Sequence, residues 1–192
     1  MNASPQLLTS TKHSRRGAAA VEFALVAVFF FLPLTLGAAV FGMNLVRSIQ
    51  VTQFNRDACQ MYSRGVDFSI SGNQAMLLQL AGNLNITATG GKGEVILSTI
   101  QCIGAGQAVC TRRIVIGNSG LRSSSFASPT RMDSVGNVDY TNDPAAAANS
   151  FLSLLPMNTG DVAYVAETYF QSPDFDIPGF RTNTGVYVRA IF

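Results

Sequence analysis

Glu22 stands where carboxylates are costly. It is the only acidic residue before Asp57, and the chain carries no charge from Phe23 to Met43. An ionised group beside a long apolar run needs a reason to be there, and the simplest one is a cation partner. Other residues able to do chemistry are few. The single histidine is His13, so beyond it no imidazole is available for acid–base catalysis or zinc ligation. The cysteines are Cys59, Cys102 and Cys110, and the odd count leaves at least one unpaired within the chain. Asp174 and Asp176 flank Phe175, but a calcium site needs six to eight oxygens, and the pair reads as a solvated loop. No phosphate-binding glycine loop, no G-x-S-x-G and no carboxylate pair on one helix face is present. No catalytic, cofactor-binding or metal site is expected, and the chain does not read as an enzyme.

The element that carries Glu22 is an apolar helix. Phe23–Met43 is about 21 residues, and at 1.5 Å per residue that length crosses a hydrocarbon core of ~30 Å. Thr35 is its one polar residue, and Lys12, Arg15 and Arg16 stand before it. A basic flank ahead of a first span favours a cytoplasmic N-terminus and an exported C-terminal part. A cleavable secretory signal is the rival reading, with Gly37-Ala38-Ala39 as the cleavage site. Glu22 within its apolar core, and the apolar residues Val40, Phe41 and Met43 beyond that site, count against it. Pro33 lies in mid-span, where it removes one backbone bond. Gly37, Ala38, Ala39 and Gly42 make a small-residue patch that suits either a neighbouring helix or lipid.

The helix is expected to run from Ala18 to Arg64. Past the span, Leu45, Val46, Ile49, Phe54, Ala58, Met61 and Tyr62 form an apolar side opposite Arg47, Gln50, Gln53, Arg56, Asp57 and Gln60. Gly65 is the stop signal. Residues 1–17 read as a polar, mostly unstructured leader, and residues 65–192 as a small β-rich domain. In it, Gln74–Leu84 suits a short helix with Met76, Leu77, Leu80 and Leu84 on one face and Asn73 as its cap. Glu94–Gln101 and Val109–Ile116 read as a hairpin about Gly104 and Gly106. Asn118–Asn142 reads as a long surface loop. Pro144–Leu155 reads as a helix capped by Asp143. Asp161–Gln171 and Gly185–Phe192 alternate as strands, with Pro178-Gly179 as a turn between them. The fold class is α+β. Cys102 and Cys110 sit at the two ends of the hairpin loop, where an exported domain could bridge them. The alternative is two small buried thiols.

With 192 residues the chain suits one span plus one small domain. Its net charge is +2, but three of the 13 basic residues precede Gly17, which leaves 10 against 11 acidic ones. No clustered basic face points to nucleic acid.

The order Arg15-Arg16-Gly17, then Ala18 to Val21, then Glu22-Phe23 and an apolar helix resembles the TadE/TadF-like pseudopilins of tight-adherence (Flp-type) pili. The resemblance covers roughly residues 15–65. It implies that a prepilin peptidase cuts between Gly17 and Ala18, so that Glu22 becomes the fifth residue of the mature chain. It also implies assembly with other pilins or pseudopilins and an assembly platform in a bacterial inner membrane, with Glu22 meeting a neighbour's terminal amine. Glu22 neutralising its own amine or Arg16 is the local alternative. A membrane-anchored binding module without a pilus role is the rival function.

Overall fold

A computed structural model describes residues 12–171 and 185–192, with side chains from Gly17 onward except at residue 83. The leader before Lys12 and the Pro178-Gly179 turn with Asp174 and Asp176 lie outside the described residues. The chain divides into two units, one up to Met43 and one from Asn44 to Phe192.

In the first unit, helix α1 spans Lys12–Val26. The described part of the expected leader is therefore helical. A π-turn, Ala27–Phe31, follows, and α2 then runs Leu32–Ser63. Pro33 accounts for the π-turn. It cannot donate an N–H, and in an α-helix its ring would collide with the carbonyl of Phe29. The wider turn relieves that crowding, with the Leu32 N–H bonding to the Ala27 carbonyl five residues back. Among the described residues, the helix over Gly17–Ser63 is the one long and apolar enough to cross a membrane. Its apolar side chains are exposed, Phe23 at 70% and Phe29 at 76%.

In the second unit, α2 ends at a glycine as expected. Gly65 has φ +87, its N–H bonds to Tyr62 O at 3.0 Å, and the Val66 N–H bonds to Met61 O at 3.2 Å. This pair of bonds is a Schellman stop, and Val66 and Met61 both pack against the core. Helix α3 is Ser71–Ala81, followed by a 3-10 turn, Gly82–Leu84. It begins before the expected cap, because Asn73 reaches back to donate to the Asp67 carbonyl at 2.7 Å instead. Its buried residues are Leu77 and Ala81, with Leu84 beyond, whereas Met76 and Leu80 are exposed. A small hairpin, β1 (Ile86–Thr87) and β2 (Gly90–Gly91), leads into the main sheet.

That sheet is antiparallel, in the order β4-β3-β5-β6, with β3 Gly93–Gly104, β4 Gln107–Gly117, β5 Val162–Phe170 and β6 Val186–Ile191. One face packs on α2 and α3. Val51, Phe54, Ala58, Cys59 and Tyr62 of α2 meet Val95, Leu97, Ile114, Ile116, Ala166 and Phe170. Asn55 is buried in that layer and accepts a bond from Thr168 at 2.7 Å. Ile100, Ala163 and Val165 belong to a second cluster with Phe126 and Phe151. Phe126 comes from the long 118–142 segment and Phe151 from the stretch expected as a helix. The latter is instead two 3-10 turns, Pro144–Ala146 and Asn149–Ser153. Asp143 does cap the first, accepting from the Ala145 N–H at 3.0 Å.

Candidate processing and assembly site

Gly17, Ala18, Glu22 and Phe23 all lie on α1 and all are exposed. Glu22 follows Ala18 by four residues, so the two share one helix face a turn apart. The bond between Gly17 and Ala18 is helical. Nothing in the fold requires glycine at 17, since a Cβ there would meet open space and its φ is not positive. Contrast Gly136, where a Cβ would stand 2.3 Å from the Arg113 carbonyl oxygen and φ is +86. Glycine inside a helix costs about 0.5–1 kcal/mol relative to alanine. Gly17 therefore weakens the helix where the expected scissile bond lies, with no packing return. Cβ atoms at Gly37 and Gly42 would also meet open space. Among the described residues, these two glycines of the small-residue patch face no partner.

The expected Cys102–Cys110 bridge is not formed. The hairpin turn places Cys102 opposite Ala108 and Cys110 opposite Ile100. The two cysteines are thus diagonal neighbours, which in a sheet are ~7–8 Å apart rather than directly opposed. All three cysteines are free and buried. Cys102 Sγ donates to the Gly104 carbonyl at 3.2 Å, Cys110 Sγ to Arg112 O at 3.3 Å, and Cys59 Sγ to Tyr164 O at 3.4 Å. Burial pushes the Cys59 and Cys110 thiols up to about 11, which keeps them protonated and poorly nucleophilic.

Sequence reading missed the groups that tie the 118–142 segment to the sheet. Glu94 accepts backbone N–H bonds from Gly120 at 3.2 Å and Arg122 at 3.0 Å. Glu167, 2% exposed, accepts the Ser125 N–H at 2.9 Å and the hydroxyls of Ser124 and Tyr187. Burial, then the bond to Glu167, pushes Tyr187 up to about 12. The Arg122 guanidinium lies 4.1 Å from the Tyr187 ring centroid. Asp143 accepts from the Arg131 N–H at 2.8 Å and from the Thr130 N–H, and these bonds hold its carboxyl below the usual range. One signal was available: Glu94 and Glu167 are the only charged residues of β3 and β5, where a buried carboxylate must find donors. Among the described residues, no group of three or more His, Cys, Asp or Glu side chains could hold a metal.

Residues 17–58 match the family model described as TadE-like protein. The match starts at Gly17, takes in Ala18, Glu22, Phe23 and the apolar window, and stops within α2. Residues 59–192 lie outside it. No curated protein and no solved structure matches the chain.

Proposed function

We propose that this chain, TadE-like over residues 17–58, works as a minor pseudopilin of a tight-adherence pilus. Its role in this reading is structural and not enzymatic. The observation that carries the proposal is the start of the family match at Gly17, the residue that opens the Gly17–Glu22–Phe23 spacing. A prepilin peptidase cuts the Gly17–Ala18 bond from the cytoplasmic side of the inner membrane. The helix stays in the membrane and the sheet domain is exported. The new Ala18 amine is largely protonated near neutral pH. Glu22, one turn on, pairs with the amine of a neighbouring pilin and fixes the register between subunits. The exposure of Glu22 and of most of the apolar window supports this.

The test is Glu22→Ala in the native host. Loss of the charge leaves the span apolar, so insertion is unharmed. Leader removal persists, while co-purification with partner pilins falls by an order of magnitude or more. Normal association in the variant would reduce Glu22 to local charge balance. Lost cleavage would move its role to peptidase recognition.

A further inference from the structure

The first two turns of α2 in the sheet-bearing unit are amphipathic the wrong way round for a water-facing helix. Asn44, Arg47 and Ser48 are partly covered on the side that leads on to buried Val51, while Leu45, Val46 and Ile49 are exposed at 56%, 55% and 50%. The outward side turns polar abruptly at Gln50 and stays so through Gln53, Arg56, Asp57 and Gln60, all exposed. A helix against water on that side would carry polar residues there from the start. The outer side is thus apolar up to Ile49 and polar from Gln50.

We infer that the Leu45–Val46–Ile49 face is seated in the interfacial layer of a lipid bilayer, so that the base of the sheet domain dips into the headgroups. This rests on the membrane-spanning reading of the helix. The distances fit. Leu45 and Val46 lie about 3–5 Å, and Ile49 about 9 Å, beyond Met43 along the axis at 1.5 Å per residue. Each interfacial layer adds roughly 5–8 Å to the hydrocarbon core, and an average helix tilt near 20° shortens the reach further. Phe23 to Ile49 is about 40 Å of helix, more than hydrocarbon alone can cover without tilting by ~40°. Arg47 is the first charge after Glu22 and lies with its guanidinium 5.9 Å from the Phe170 ring centroid. A cation on an apolar stem at this depth suits lipid phosphates.

The chain has no tryptophan, so single reporters can be introduced into the full-length protein. Val46→Trp, Gln53→Trp and Phe30→Trp are each reconstituted in one-copy nanodiscs, with lipid brominated near the headgroup or near the chain terminus. Gln53 lies two turns beyond Val46 on the same face. Val46→Trp should lose most of its emission to headgroup-proximal bromine, and Gln53→Trp should keep its emission. Phe30→Trp should be quenched by deep bromine. Quenching at Phe30 without any at Val46 would overturn this inference alone. No quenching at Phe30 would overturn the spanning reading beneath it. A Val46→Trp emission that turns blue only in discs holding two copies, without bromine quenching, would assign the face to a neighbouring helix and overturn the lipid proposal.

Discussion

Gly17 and Glu22, neighbours in the proposed function, both lie exposed on one helix. Glycine at 17 gives the helix no packing contact, which fits the proposed cut at the next bond. A peptidase needs that bond extended, and a residue without Cβ unwinds from the helix most readily. Gly17→Ala should slow leader removal, because it stabilises the local helix by ~0.5–1 kcal/mol. Gly17→Val should block removal by crowding the extended bond. Intact mass of the membrane-extracted protein reads both outcomes, and rapid processing of Gly17→Val would be contrary. Asp143 offers a second test at this scale. Its folded-state pKa is depressed by backbone N–H donors, so its stabilising contribution is present at neutral pH. That contribution fades as pH falls from the ordinary carboxylate range, near 4, through the lower folded value. Asp143→Asn should be less stable than wild type at pH 7, and the gap should narrow toward pH 3. Urea unfolding of the full chain in detergent measures it.

Elements were legible where periodicity meets a buried face. The β6 alternation of Val186, Val188 and Ala190 against Tyr187, Arg189 and Ile191 is readable because only the first set packs on the helix-covered core. The Gly65 stop was readable because only glycine adopts that φ cheaply. The α3 face was misread by part of a turn: Met76 and Leu80 are apolar but exposed, and Ala81 takes the core position. Leucine count did not reveal which side the sheet would cover. Register decided the cysteines, and register depends on turn geometry that Gly104 and Gly106 alone leave open. The three thiols should resist alkylation in the folded chain and react together on unfolding. A Cys102–Cys110 disulfide peptide from native protein would refute the diagonal register. The 118–142 segment was legible as a loop but not as an anchored one, because its anchors are strand carboxylates distant in sequence. Glu167→Ala would leave the Ser125 N–H and two hydroxyls without their acceptor, at about 1–3 kcal/mol for such a buried loss. Limited proteolysis should then cut within 118–142 faster than in wild type.

At the scale of the whole molecule, the chain joins an N-terminal helix whose residues 17–58 match the TadE-like family model to a four-stranded antiparallel sheet domain beyond the match. The helix carries Gly17, Ala18, Glu22 and Phe23, the residues proposed for processing and assembly, and its lower part exposes most of its apolar side chains. The domain buries the upper part of α2 through Val51, Phe54, Ala58 and Tyr62, so the helix that carries the candidate span also supplies core residues. The proposed cut at Gly17–Ala18 lies in the first unit and would free an amine one helical turn from Glu22. The measurement that bears most directly on this account is the N-terminus of the protein taken from native membranes with an active prepilin peptidase. Intact mass and terminal sequencing should give a chain that starts at Ala18, and a chain that still starts at Met1 would contradict the pseudopilin reading.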